Sequence, residues 1–296
     1  MSGAASGDVL VVGDLMVDVV VVPSGPLAHG SDVTSRVRAV GGGSAANTAC
    51  WLAALGRPVR LAAMAGDDPT GAGALAQLER AGVTFAGAVL RGASTGTCVV
   101  LVDPDGERTM LPDRAANDEL SVEVVTAALA DPPAWLHLSG YTLLDDGSRP
   151  AARAAIATAR RLGVRVSVDA SSAAPLRSVG AARFLEWVAG THLLFANDDE
   201  LAALGGTDAC LAAVDAVVAK HGPAGASWIE GDRSTSSPAE PVLVVDTVGA
   251  GDALDAGVID ALLSGADPAT ALRAGTAAAA RAVVTPGARP QLPLGS

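Results

Sequence analysis

Short apolar, strand-like runs alternate with helix-compatible stretches through the second half of this chain. That alternation restricts the fold more than any other feature. Strand-like runs at residues 135–138, 164–168 and 192–195 are separated by helical stretches at 149–162 and 181–188. Helices over 198–204 and 209–219 follow, then strands near 226–229 and 242–245, and two closing helices from about 250 and 268. Strands joined by such helices form right-handed crossovers, so the expected class is α/β, with a mainly parallel sheet covered on both faces.

The first half is less regular. Residues 9–12 form a continuous apolar run, as in a strand buried on both sides. Residues 16–22 and 33–40 read as further strands, the second alternating in polarity as a sheet with one wet face requires. A helix over 44–55 stops at Gly56, followed by a strand at 59–63, a helix at 71–81 and a strand at 97–102. Asp103-Pro104-Asp105-Gly106 is a turn signal, across which 107–111 would pair back. These hairpin-like pieces stand outside the βαβ alternation and predict a small β lid inserted into one α/β domain. Residues 234–241, rich in Ser and Pro, read as a hairpin loop.

Composition narrows the partner. The 20 basic and 32 acidic residues give a net charge of −12, and Lys220 is the single lysine. Such a surface repels nucleic acids and anionic membranes, which leaves a small molecule as the expected ligand. Half the residues are hydrophobic, enough for one sizeable core in 296 residues. Cys50, Cys98 and Cys210 are far apart and form no disulfide or zinc pattern. The N-terminus carries no basic leader, and Asp14 and Asp18 interrupt the apolar run behind it; a cytoplasmic location is expected.

Three strand-to-helix junctions can carry chemistry. In Asp246-Thr247-Val248-Gly249-Ala250-Gly251-Asp252, the glycines let backbone N–H groups converge where a helix adds its positive end, forming an anion site without basic side chains. A carboxylate there, Asp252, suits a base facing a hydroxyl rather than an anion ligand. Gly41-Gly42-Gly43-Ser44-Ala45-Ala46-Asn47 permits close backbone approach and presents Asn47 to a polyol. Gly41, Gly43 and Ala46 also fit a dinucleotide fingerprint, although that fingerprint belongs after the first strand. Asn197-Asp198-Asp199-Glu200 follows a buried strand; Asn197 and Glu200 share a helix face and suit a hydrated magnesium ion. Each stretch also reads as ordinary helix capping. P-loop and α/β-hydrolase motifs are absent, and His29, His137, His192 and His221 lack metal-ligand spacing, reading as surface or satisfied structural residues.

Taken in this order, the motifs resemble the ribokinase-like (PfkB) carbohydrate kinase family over residues 9–293. The resemblance implies a three-layer α/β/α sandwich in a single domain over 1–296, with a β lid formed by about 15–40 and 95–113. It implies ATP-dependent phosphorylation of a sugar hydroxymethyl group with magnesium. Asp252 matches the catalytic base, and Gly249, Ala250 and Gly251 match the anion hole. Asp18, Gly42, Gly43 and Asn47 match the sugar site. Asn197 and Glu200 match the residues that organise magnesium and phosphates, the metal being held through water. Lys220, Gly222, Gly225 and Thr247 match the nucleotide side. Asp246, Val248, Ala282 and Gly287 resemble a monovalent cation site, with potassium as the ion. A homodimer through the lid is a further implication.

Two departures concern the substrate. Leu254 and Asp255 follow the base where the family often has an aromatic, and Tyr141 stands where some members place a sugar-binding carboxylate. Arg108 and Arg114 are candidates for a carboxylated or phosphorylated acceptor. A nucleoside kinase is the alternative within the family, although one Tyr and three Phe offer little stacking. Outside it stand an NAD-dependent dehydrogenase, resting on the Gly41–Ala46 fingerprint, and a non-catalytic sugar-binding protein.

Overall fold

The computed structural model describes residues 7–103 and 107–291. The expected turn at Asp103–Gly106 therefore lies partly outside the described residues. In chain order the elements begin with β1 (Val9–Val12), β2 (Met16–Pro23), β3 (Ser35–Gly42), α1 (Ser44–Ala54), β4 (Val59–Ala62), β5 (Met64–Gly66) and α2 (Pro69–Arg80). Next come β6 (Thr84–Phe85), β7 (Ala88–Leu90), β8 (Gly96–Val102), β9 (Arg108–Asp113) and α3 (Val122–Ala128). β10 (Trp135–Ser139), α4 (Tyr141–Leu144), α5 (Arg149–Arg161), β11 (Arg165–Asp169), α6 (Ala173–Val179) and α7 (Ala181–Val188) follow. The chain continues through β12 (Leu193–Asn197), α8 (Asp198–Ala203), α9 (Thr207–Leu211), β13 (Ala216–Lys220), β14 (Ala226–Glu230) and β15 (Arg233–Ser237), and closes with α10 (Ala250–Leu263) and α11 (Pro268–Val283).

Among the described residues nine strands form one sheet in the order β15-β14-β13-β12-β11-β10-β1-β4-β6, parallel except for the β13-β14-β15 edge. Alternate residues of its strands feed two separate cores. Val9, Val11, Phe195 and Val218 pack with α1, α10 and α11, whereas Leu10, Val12, Leu138 and Val217 pack with α3, α5 and α7. The period of two in a strand thus builds helical layers on both faces, the α/β/α sandwich. A separate four-stranded sheet, β3-β2-β8-β9, mixes antiparallel and parallel pairs. β5 and β7 form a short third ladder.

Three local expectations are corrected. The helix expected at 209–219 is the short α9 followed by strand β13, whose Ala-Val-Val-Ala run is buried inside the sheet. No strand forms at 242–245; those residues are exposed, and the edge strand is β15 instead. Residues 234–237, expected within a loop, therefore belong to that edge strand. The cysteines are all free and buried, and among the described residues no helix is long and apolar enough to cross a membrane.

Candidate active site

Five neighbouring strands of the main sheet end at one cavity of about 430 Å³. Asp14 follows β1, Tyr141 follows β10, and Asp169, Asn197 and Lys220 end β11, β12 and β13; all line it. This is where an open α/β sheet exposes its strand ends to ligands. Met16, Asp18, Cys98, Met110 and Pro112 of the four-stranded sheet cover the other side.

The two glycine turns interlock here. Gly249 adopts φ 78° and starts α10 directly behind it, so the N–H groups of Gly251 and Asp252 take no backbone acceptor among the described residues. Gly43, at φ 90°, starts α1, whose first N–H groups are met by Asp14: its Oδ2 accepts from Ser44 N at 3.0 Å. The side chains of this first turn then reach across to α10. Ser44 Oγ donates to Asp252 Oδ1 at 2.8 Å, and Asn47 Nδ2 donates to Oδ2 at 2.9 Å. Burial pushes the Asp252 carboxyl up to about 7, with Asp169 adding to the rise; the Asn47 and Ser44 hydrogen bonds and Lys220 oppose it. A carboxylate beside a ring of free N–H groups, titrating near neutrality, can take a proton from a hydroxyl while the backbone holds an anion.

Beneath the turn lies a buried charge cluster that the sequence motifs did not reveal. Lys220 Nζ pairs with Asp169 Oδ2 and stands 3.5 Å from Asp255 Oδ1. Burial opposes the ammonium charge, but Asp169, Asp255 and Glu200 hold the Lys220 pKa above its usual value. Burial also works against ionised Asp169, yet Lys220 and a hydrogen bond from Asp255 keep it below the carboxylate range. The Asp255 carboxyl is raised well above that range, first by burial, and Asp169 beside it adds to the rise while Lys220 opposes it. A Cβ added to Gly251 would lie 3.3 Å from Lys220 Nζ, so the ammonium borders the anion-binding turn.

Asn197 and Glu200 form a reciprocal capping box on α8: Asn197 N donates to Glu200 Oε2 and Glu200 N to Asn197 Oδ1, both at 2.9 Å. Burial, with Asp169 nearby, raises the Glu200 pKa. Capping and lining the cavity coexist in this pair, because the helix starts at the strand end. Among the described residues no three His, Cys, Asp or Glu are grouped to hold a metal directly. The oxygen donors of Asn197 and Glu200 on the cavity lining do suit a magnesium ion held through its waters.

Several expected residues lie elsewhere. Arg108 lines a neighbouring cavity; its Nη2 donates to Asp246 Oδ1 at 2.7 Å and its Nη1 to Thr247 Oγ1 at 2.8 Å. Both its own reach and the Thr247 hydroxyl are thereby used. Gly225, at φ 99°, packs its α-carbon against the β15 backbone at a turn. Gly42 and Ala250 are not on the cavity lining: Gly42 packs against the Asp18 carboxylate, Ala250 N donates to Thr247 O at 3.4 Å, and Ala282 is buried in α11 with its carbonyl accepting from Thr285 N at 3.4 Å. Asp246, Val248 and Gly287 do come together. Asp246 accepts from Val248 N at 2.9 Å and Gly287 N at 3.0 Å as well as from Arg108, and Arg38 stands 3.9 Å away. Three donors use its oxygens and Arg108 balances its charge, so a monovalent cation there would compete with the guanidinium. Of the histidines, His137 has an unpartnered Nε2, and burial holds its pKa at about 4, so the ring is neutral.

The sequence profile of the pfkB family carbohydrate kinases matches residues 6–294. The chain belongs to that family. It is 36% identical over 270 residues to an ATP-dependent ribose-1-phosphate kinase from Halopiger xanaduensis, covering 89% of this chain and 87% of the relative. Identity to a fructokinase from Klebsiella pneumoniae is 27%, covering 87% and 85%. Among solved structures, adenosine kinase from Sinorhizobium meliloti superposes with a TM-score of 0.87 at 25% identity, over 97% of this chain and 96% of that one. Ribokinase from Thermotoga maritima shares the fold with a TM-score of 0.78 over 95% and 94%. This PfkB kinase is accordingly an ATP-dependent phosphotransferase acting on a sugar hydroxyl, within the group of ribokinase-like sugar and nucleoside kinases.

Proposed function

We propose that the protein transfers the γ-phosphoryl group of magnesium-ATP to a primary hydroxyl of an anionic sugar, with a sugar phosphate as the favoured acceptor. The observation that carries the transfer is Asp252, held by Ser44 and Asn47 at the start of α10 and titrating near neutrality. Asp252 removes the hydroxyl proton, and the N–H groups of Gly251 and Asp252 take charge on the transferring group. Asp18 and Asn47 face the acceptor, and the four-stranded sheet acts as the lid that excludes water. Asn197, Lys220 and Gly222 line the nucleotide side. When bound, magnesium neutralises phosphate charge, with Asn197 and Glu200 contacting its waters. The lid sheets of two copies pair in a homodimer.

Arg114 supports the anionic acceptor. A guanidinium carries five N–H donors. Arg114 spends one, Nε to Asp118 Oδ1 at 3.0 Å with Asp145 Oδ2 4.0 Å away, and the residue lines the cavity with its remaining donors uncommitted, Nη2 being buried without an acceptor. A phosphate can take two such donors at once. The name of the Halopiger xanaduensis relative agrees with this reading. A nucleoside is less well served, since Tyr141 is the lone Phe, Tyr or Trp among the described residues that line the cavity. The test is turnover with ATP and ribose 1-phosphate, ribose, fructose, 2-keto-3-deoxygluconate, adenosine or pseudouridine. Preference for a phosphorylated or carboxylated sugar, lost in Arg114→Met, is expected; equal rates on neutral ribose or a nucleoside overturn it.

A further inference from the structure

The C-terminal segment after α11 is wedged between the two glycine turns. Trp51 Nε1 of α1 donates to Ala288 O at 2.9 Å, and the Ala288 backbone packs directly on the α-carbon of Gly249. The next residue, Arg289, reaches the turn before α1. Its Nη2 donates to Gly42 O at 2.7 Å and its Nε to Asn47 Oδ1 at 3.1 Å. Gly41 makes room for it, since a Cβ there would collide with Arg289 Nη1 and Cζ.

The polarity of this chain fixes the Asn47 amide. A guanidinium only donates, so the amide must turn its oxygen to Arg289. Its Nδ2 then points to the Asp252 carboxylate, an acceptor on the opposite side. Without Arg289 the amide can rotate and set oxygen against oxygen.

We propose, resting on the phosphoryl-transfer reading above, that Arg289 is a positioning residue for the reaction: through Asn47 it orients and stabilises the Asp252 carboxylate toward the acceptor hydroxyl. It touches neither Asp252 nor the cavity. The groups facing Asp252 are Ser44 and Asn47 of α1, Tyr141 of α4, Asp169 of β11, Lys220 of β13 and Asp255 of its own helix. Arg289 therefore reaches Asp252 through the amide. Among the cavity carboxyls its charge bears directly on Asp18, which burial pushes up to about 6 and Arg289 draws down, so a limb shift that persists in the Asn47→Ala background belongs to Asp18.

The test is the pH dependence of kcat/KM in Arg289→Met, Gly41→Ala and Asn47→Ala, each checked by circular dichroism for a native spectrum. Arg289→Met removes the guanidinium, while Gly41→Ala displaces it and leaves the charge in the protein. In both, kcat falls roughly ten- to a hundredfold, the worth of one hydrogen bond to a charged group. The acid limb moves up, because the carboxylate has lost a donor, and the KM for ATP changes little. Adding Arg289→Met to Asn47→Ala produces no further move of that limb, and Arg289→Lys restores part of the rate. An unmoved limb in folded Arg289→Met, or full additivity with Asn47→Ala, overturns the inference. Asp252→Asn run alongside keeps the outcomes separate: full activity there sinks the underlying reading, whereas a collapse there with an unmoved limb in Arg289→Met sinks this one alone.

Discussion

Asp252 titrates near 7, so its usefulness as a base depends on pH in the neutral range. Its folded pKa lies above the usual 3.8, so the carboxyl is protonated and idle below about 7 and ionised above it. The kcat/KM for the acceptor should therefore rise with pH through about 7 and level off. In Asp252→Asn the rate should fall by about 10²–10⁴, with acceptor binding retained in calorimetry, the usual worth of a positioned base. Lys220 behaves differently from a free phosphate ligand. Lys220→Met strands Asp169 in the interior, and removing one partner of a buried pair costs about 3–5 kcal/mol. A clear drop in thermal midpoint should accompany any rise in the KM for ATP; an unchanged midpoint would return Lys220 to a purely ligand-facing role. At this scale the sequence already displayed Asp252, Asn47, Asn197 and Glu200, because each sits in a junction of recognisable type. Asp14, Asp169 and Arg289 went unseen. The first two follow or end strands whose C-terminal ends line the cavity, a positional signal that was available. Arg289 had none, since its partner lies 242 positions away.

Among the elements, strand and helix order was legible wherever an apolar run or a glycine junction marked the boundary, as at β1, α1, β10 and α10. It failed where alanine made the run ambiguous, at β13, and where an apolar stretch found no partner strand, at 242–245. Periodicity registers burial, but pairing is decided by the sheet. The same limit hid the role of β9. Its Arg108 grips Asp246 and Thr247, immediately before the turn that starts α10, and Arg38 of β3 approaches the same carboxylate. Both edge strands of the four-stranded sheet thus report on one acid at the foot of the anion-binding turn. Arg108→Met should loosen that turn and lower kcat on the order of ten- to a hundredfold, the scale expected for a small misplacement of reacting groups. With Arg108 intact, rates in potassium and in tetramethylammonium buffers should match. Strict dependence on potassium in the unaltered enzyme would show that Asp246 prefers an ion to the guanidinium.

For the whole molecule, the two faces of the four-stranded sheet pose different demands. Alternate residues Met16, Cys98 and Val100 are buried toward the cavity. Cross-strand register places Val19 beside Ala39 and Val99, Val99 beside Leu111, and Val21 beside Val37 and Leu101, all on the opposite face. That outer face is apolar across all four strands, yet Val37 is 62% exposed and Leu111 52% exposed. A contiguous apolar sheet face left to water favours burial against another surface. A second copy of this sheet offers matching chemistry, and a two-fold axis would make the contact self-complementary. A net charge of −12 on each chain resists random association, so the apolar face would also select the geometry. Light scattering at micromolar concentration should give twice 29.1 kDa. Val37→Glu with Leu111→Glu should yield a folded monomer with weakened acceptor binding, because the strands that carry Arg38 and Arg108 would lose their outer support. A monomer mass for the unaltered chain would instead leave the lid sheet to order itself on substrate alone.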